Sequence, residues 1–168
     1  MKTTAKLHTG DCLSVVASLP ARSCSLVYLD PPFFTQKRHR LVNRARDKAF
    51  SFDDLWASAT EYGDFLRQRL QQFHRVLTES GSVFFHCDRT ASHIARAVLD
   101  TVFGEKMFRS EIIWSYRRWS NAQRGLLPQH QTILWYSKSD DYTFNPLHTG
   151  YSASTNVDQL LAQRERDY

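Results

Sequence analysis

Glycine is scarce in this sequence: 168 residues contain six, at positions 10, 63, 81, 104, 125 and 150, and no two lie within two positions of each other. A Gly-x-Gly phosphate or nucleotide loop is therefore absent from it. Cysteine is as sparse. Cys12, Cys24 and Cys87 are odd in number and widely separated, with no Cys-x-x-Cys pair, which argues against a disulfide framework and against a zinc site. All three are expected to be buried, reduced thiols. No stretch approaches the ~18 to 20 apolar residues of a membrane span, and Met1-Lys2-Thr3-Thr4-Ala5 lacks the apolar stretch of a signal peptide. The expected compartment is the cytoplasm, with no membrane partner. There is no internal repeat, no low-complexity tract and no His, Cys or carboxylate spacing that makes a metal site.

What is present is an ordinary globular composition, 42% hydrophobic and 23% charged, able to bury a core. The length allows one domain, or part of one. Lys plus Arg number 22 against 17 Asp plus Glu, a net charge of +5 that suits a polyanionic partner without requiring one. Lys6 to Thr9 and Cys24 to Leu29 read as strands, the second a continuous apolar run of the kind covered on both faces. Asp11 to Leu19 suits a short helix before Pro20. Leu66, Leu70, Phe73 and Leu77 at helical spacing predict a helix over 60–79, stopped by a left-handed turn at Ser80-Gly81. A strand over Ser82 to His86 follows, then a helix over 90–103 turning Ile94, Ala95, Val98, Leu99 and Val102 inward, then strands near Glu111 to Tyr116 and Gln131 to Ser137. Alternating strands and helices predict an α/β domain with a doubly wound, mostly parallel sheet. Residues 34–54 and 117–130 fit neither period. Both begin just past a predicted strand, at the sheet edge where ligands sit in this class.

The most informative residues are Asp30-Pro31-Pro32-Phe33, directly after the strand. Such an Asp-Pro-Pro-aromatic tetrapeptide arises by chance on the order of once per several hundred chains of this size. A stiff strand-ending turn accounts for the prolines. The same stiffness also holds one carboxylate and one ring in fixed relation, which suits a particular chemistry. An exocyclic amino group of a nucleobase is a poor nucleophile because its lone pair is delocalised into the ring. Two acceptors holding its hydrogens free that pair, and a carboxylate stabilises the charge developing on nitrogen. Asp30 and the Pro31 carbonyl supply the acceptors, and Phe33 a face for a base taken out of its stack.

Asp30-Pro31-Pro32-Phe33 resembles the catalytic motif of the DNA methyltransferases that act on adenine 6-amino or cytosine 4-amino groups. Thr9-Gly10-Asp11-Cys12-Leu13 is similar to the segment that closes over the cofactor's adenosine there. Three further segments, Gly81 to Asp88, Glu111 to Trp119 and His130 to Lys138, resemble later blocks of the family's permuted (beta-class) branch. The match spans about 6–145. RNA guanine and protein glutamine methyltransferases carry similar motifs well after a glycine-rich loop, whereas 29 residues precede Asp30, which favours the permuted branch. Methylation at cytosine carbon 5 needs a Pro-Cys pair, and none of the five prolines precedes a cysteine.

The resemblance implies an incomplete Rossmann-like methyltransferase fold, S-adenosyl-L-methionine as methyl donor, double-stranded DNA as partner, no metal, and a lean towards adenine. It implies catalytic roles for Asp30, Pro31, Pro32 and Phe33 and cofactor contacts from Asp11, Cys12 and Asp30. Permuted members carry a downstream glycine-rich loop around the donor, which this chain lacks. Residues 1–168 are thus expected to be the amino-terminal part of a catalytic domain, inactive alone. The alternative is a noncatalytic DNA-binding remnant. Lys37, Arg38, Arg40, Arg44, Arg46 and Lys48, opposed only by Asp47, are expected to touch phosphates. Phe50, Phe52 and Trp56 are expected to pack that loop onto the body. A second DNA contact is expected over 115–130, from Arg117, Arg118, Trp119 and Arg124. Trp114 and Trp135 are expected in the core, and His86 and His130 as satisfied strand-end histidines. Nothing in the sequence specifies an oligomeric state.

Overall fold

A computed structural model of the chain describes residues 4–44, 47–117 and 124–148, with 161, 163 and 164. In chain order the elements are α1 (Cys12–Ala17), β1 (Cys24–Leu29), β2 (Lys37–Val42), β3 (Ala49–Asp54), α2 (Ala59–Val76), β4 (Leu77–Cys87), α3 (Ser92–Phe103), β5 (Phe108–Ser115) and β6 (His130–Ser137). The α/β class expected from the sequence holds. The four-stranded sheet runs β1-β4-β6-β5, with β1 parallel to β4 and β6 antiparallel to both neighbours. It is mixed rather than mostly parallel: β6 runs antiparallel to both of its neighbours, and only the β1–β4 pair is parallel.

Residues 4–9 form no strand. Leu7 is 95% exposed, so the segment has no apolar side chain to bury against the sheet. At β1, Val27 is buried but Leu26 and Tyr28 are half exposed, so the strand is covered on one face and lies at the sheet edge. The stretch 34–54, which fits neither period, contains the antiparallel hairpin β2–β3. Its alternation is hidden by charge on both faces.

Helices α2 and α3 cover one face of the sheet. Leu66, Leu70, Ala95 and Leu99 pack there on Val83, Phe85, Leu134 and Tyr136, and burying each large apolar side chain contributes roughly 1.5–3 kcal/mol. The start of α2 is fixed by Ser58, whose side chain accepts from the Glu61 amide, while the Glu61 carboxylate accepts from the Ala57 amide. Its end is abrupt. Leu77 is already extended, so β4 begins where three more helical residues were expected, and Gly81 lies inside the strand. A Cβ at Gly81 would meet Leu77 Cδ2 at 2.9 Å and the Thr78 carbonyl at 3.0 Å, so close approach rather than a left-handed turn requires glycine there. No helix among the described residues is long and apolar enough to cross a membrane.

Candidate active site

β5 is parallel to β4 across β6, so the segments leaving β1, β4 and β5 emerge on one edge of the sheet. Asp30 stands at that edge with its side chain 62% exposed. The corner after it is held from two sides. Tyr62, fully buried on α2, donates its hydroxyl to the Pro32 carbonyl at 2.6 Å. Burial drives the Tyr62 hydroxyl pKa upward, so it stays a donor.

Asp54, 1% exposed at the end of β3, accepts from the Phe34 amide at 3.0 Å, the Thr35 amide at 2.7 Å, the Thr35 hydroxyl at 2.6 Å and Trp56 Nε1 at 2.7 Å. Burial alone would raise its carboxyl pKa. The donors from Thr35, Trp56 and Phe34 together outweigh that, and the net direction is downward. Phe34 and Gln36 have φ of 60° and 56°, a left-handed conformation that costs side-chain-bearing residues about 1–3 kcal/mol each. Asp54, and two hydrogen bonds between Gln36 and the Trp56 backbone, hold them there. The Pro32 carbonyl is thereby occupied. Among the described residues the Pro31 carbonyl has no hydrogen-bond partner.

Two cavities meet at this corner, and Asp30, Pro31 and Pro32 line both. The larger, about 600 Å³, is walled by Phe33, Phe52, His39, His86 and Gln131. Aromatic faces beside a carboxylate and an amide suit a flat, polar-edged ligand. The smaller, about 400 Å³, brings Gly10, Asp11 and Cys12 against Tyr28, Phe65 and Phe73. Its apolar walls suit a purine and its carboxylate suits ribose hydroxyls, so these residues fit the nucleoside part of the expected donor. Gly10 has φ of +147° and empty space where a side chain would be, leaving the backbone open to close approach.

The Asp11 carboxylate is already engaged. Oδ1 caps α1 by accepting from the Leu13 amide at 2.8 Å, and Oδ2 accepts from Arg69 Nη2 at 2.7 Å, while that guanidinium lies 3.5 Å over the Phe65 ring. The Leu13 amide is the main cause of its lowered carboxyl pKa. Cys12 is exposed, Cys24 intermediate and Cys87 buried. The expectation of three buried thiols therefore fails, because α1 is too short to cover its own first residue. Burial pushes the Cys87 thiol up to about 12. Maleimide labelling of the protein at the full length of its reading frame should modify Cys12 rapidly and leave Cys87 untouched until unfolding, with added methyl donor slowing the Cys12 reaction. Labelling of Cys12 at an unchanged rate under saturating donor would argue against this cavity.

Of the basic residues after the corner, Lys37, Arg40, Arg44 and Lys48 are exposed and make no ion pair among the described residues. Arg38 differs: it donates to both oxygens of Asp53, at 2.5 and 3.1 Å, because the hairpin register sets the two side by side. Phe50 and Phe52 do not pack on the body. They are 60% and 47% exposed, and Phe52 stacks on His39 within the hairpin. Trp56 does pack inward, against Tyr62 and Phe65. Arg117 and Arg124 are exposed on the segment between β5 and β6, whereas Arg118 and Trp119, like Arg46, lie outside the described residues.

Trp114 is 55% exposed, on the sheet face that α2 and α3 leave open, so its core expectation fails. Trp135 is half-buried against Phe84 and Phe144. His130 is exposed at the start of β6. His86 does more than end a strand: Nδ1 lies 3.1 Å from Asp30 Oδ1, and Nε2 lies 2.9 Å from Gln131 Oε1.

Sequence reasoning missed Asp54, Tyr62, Arg69, His86 and Gln131. Asp54 had a readable signal, since Phe50, Phe52 and Asp54 alternate onto one strand face. Tyr62 likewise continues the Leu66, Leu70 stripe.

The sequence profile of a family described as DNA methylase matches residues 24–166. Among curated proteins the chain is 27% identical over 146 residues to the type II methyltransferase M.BglII from Bacillus subtilis, covering 83% of this chain and 37% of that protein. It is 25% identical over 150 residues to M.HinfI from Haemophilus influenzae, covering 81% and 39%. The chain thus spans about two fifths of the length of these relatives. Among solved structures, the cytosine-N4-specific PvuII DNA methyltransferase superposes with a TM-score of 0.54 at 20% identity, over 93% of this chain and 60% of that one. A Thermus thermophilus protein described as a DNA modification methylase, solved with S-adenosyl-L-methionine, gives 0.55 at 17%, over 85% and 57%. At these identities the two structures speak for the fold alone.

Proposed function

The chain belongs to the N6/N4 DNA methylase family, and from that membership we propose that its Asp30 corner directs transfer of a methyl group from S-adenosyl-L-methionine to an exocyclic amino group of a base in double-stranded DNA. Adenine is preferred over cytosine, because Asp stands first in the motif. The observation that carries this reading is the meeting of two cavities at Asp30, Pro31 and Pro32, with the Pro31 carbonyl unengaged while its neighbours are tied down.

In this reading the donor, when bound, supplies a methyl group made electrophilic by the sulfonium. Asp11 and the apolar walls of the smaller cavity hold it. The target base leaves the duplex and enters the larger cavity, where Phe33 stacks on it. Asp30 accepts one amino hydrogen and the Pro31 carbonyl the other, so the nitrogen lone pair is turned out of conjugation, away from these two oxygens and towards the methyl group. As the new carbon–nitrogen bond forms, the sulfur–methyl bond breaks with its electron pair left on sulfur as a neutral thioether, and the Asp30 carboxylate stabilises positive charge on nitrogen and takes the departing proton. Most of the acceleration is alignment, since the chemistry needs no other nucleophile.

The β2–β3 hairpin and Arg117 and Arg124 stand on the same side of the sheet as the corner and supply phosphate contacts. Replacing Lys37, Arg40 and Arg44 together with Ala should weaken binding to all sequences alike. It should also reduce the slope of log affinity against log salt by about 2 to 3, near 0.9 per lost phosphate contact. Arg38→Ala alone should change the slope little, because Asp53 already neutralises it. Fluorescence anisotropy across a salt series measures both, and an unchanged slope in the triple variant would count against the hairpin.

The reading itself is tested by incubating the protein, at the full length of its reading frame, with labelled donor and DNA, then digesting to nucleosides. Label in N6-methyladenine is expected. Label in N4-methylcytosine moves the target to the other amino group. Label in 5-methylcytosine overturns the amino-group chemistry, and no label with retained DNA binding favours the noncatalytic reading.

A further inference from the structure

The prolines of the corner fix the backbone at Asp30, but no covalent constraint fixes the two side-chain torsions of its carboxylate. More than half exposed, that group would rotate freely unless something held it. Among the described residues no hydrogen bond or ion pair reaches it except the contact with His86. The sheet creates this contact: Leu29 pairs with Phe85 in the parallel register of β1 and β4, so the next residues, Asp30 and His86, stand side by side.

The His86 ring is itself held. It is 9% exposed, stacked on Trp114 at 5.8 Å with 16° between planes, and met edge-on by Phe33 at 5.3 Å. Its nitrogens face the Asp30 carboxylate at 3.1 Å and the Gln131 side chain at 2.9 Å. A neutral imidazole has one N–H and cannot donate to two acceptors. Two arrangements satisfy the site. Either the ring is an imidazolium, or the Gln131 amide presents its N–H to Nε2 and the single ring proton sits on Nδ1. Both put a proton on Nδ1, facing Asp30. Among the described residues, the titratable groups shown against the ring are the Asp30 carboxylate at 3.1 Å and, with ring centroids 6.3 Å apart, Tyr28.

We propose that His86 is the positioning residue of the Asp30 carboxylate: its Nδ1–H holds Oδ1, which leaves Oδ2 turned to the incoming amino group, and Gln131 sets the ring tautomer. This rests on the methyl-transfer reading above and adds to it the residue that makes Asp30 a fixed acceptor rather than a rotor.

Two measurements test it. Nitrogen-15 NMR of the ring in this chain at pH 8 should show Nδ1 protonated, with its signal displaced in Asp30→Asn. A proton on Nε2 with bare Nδ1 overturns the proposal, whether or not any methyl is transferred. In the methyl-transfer assay, His86→Leu should lower kcat roughly 10- to 100-fold, the range of one lost hydrogen bond to a charged group, with KM for DNA and donor within about threefold. His86→Asn, which places an N–H where Nδ1 was, should recover most of the rate, while His86→Gln should not. If His86→Asn is as slow as His86→Leu, or if only KM moves, His86 is not a positioning residue. Failure of the unaltered protein to transfer methyl would instead sink the reading beneath it, and the NMR result would still stand or fall separately.

Discussion

Asp30→Ala is expected to abolish methyl transfer, lowering the single-turnover rate at least about 10³-fold, while DNA affinity stays within about twofold. In the proposed mechanism the substitution removes both an acceptor for the amino hydrogens and the charge facing the developing cation. Loss of a single preorganised electrostatic partner typically costs 10²–10³, and loss of a positioned proton acceptor 10²–10⁴. Asp30→Asn keeps the shape and should remain nearly as slow, because an amide carries no charge and accepts no proton. Binding should be spared because the proposed phosphate contacts come from Lys37, Arg40 and Arg44, not from the corner. The fold is spared as well. The side chain is 62% exposed and supports no hydrophobic contact, so the unfolding free energy should move by less than about 0.5 kcal/mol. Rapid-quench kinetics with labelled donor, with anisotropy for binding, measure both. A variant retaining more than about a tenth of the rate would remove Asp30 from the chemistry.

Asp54→Leu should have the opposite profile, with a large effect on stability and a rate loss that follows from it. The carboxylate accepts from two backbone amides, a hydroxyl and an indole. A leucine leaves these donors buried without partners and releases the left-handed Phe34 from the carboxylate that holds its amide. Unsatisfied buried donors cost about 1–3 kcal/mol each, partly recovered by relaxation, so a loss of about 3–5 kcal/mol is expected.

The same carboxylate gives a pH dependence of known sign. Its folded pKa lies below the ordinary value, so folding holds the ionised form. That contribution is fully present above the unfolded carboxylate pKa of about 3.9 and is lost as pH falls through the lower folded value. Urea unfolding of the unaltered chain should therefore show stability falling on the acid side of about pH 4, and Asp54→Asn should lack that part of the fall. Parallel profiles for the two proteins would mean that Asp54 is not the anchor of the corner.

The sequence was most legible where periodicity and burial agree. The stripes of α2 and α3 fall within two or three residues of their expected limits, because those residues fill one core, and β1 keeps its expected limits although only one of its faces is covered. It was least legible where side chains serve the corner rather than the core. The hairpin β2–β3 hides its period under charges of both signs, and its anchoring residue, Asp54, sits beside an exposed carboxylate, Asp53, of identical chemistry. Only burial separates the two.

The Asp30 corner stood out because two prolines after an apolar strand are rare. The partner it was given, an aromatic ring, was next to it in sequence. His86 and Gln131, which face it in space, are 56 and 101 residues further along and come from two other strands. Their role depends on a parallel register and a strand order that no local pattern specifies. Trp114 failed as a core residue for a related reason: the sequence shows that a strand is apolar, and not which face of its sheet another layer covers.

In the proposed mechanism the Asp30 carboxylate and the Pro31 carbonyl together grip one exocyclic nitrogen of an extruded base. A crystal structure of the protein bound to target DNA and an unreactive analogue of the methyl donor tests it most directly. The base is expected in the larger cavity, its amino nitrogen about 3 Å from both Asp30 Oδ2 and the Pro31 oxygen. A base seated elsewhere, or an amino group bonded to other side chains with Asp30 turned away, would contradict it.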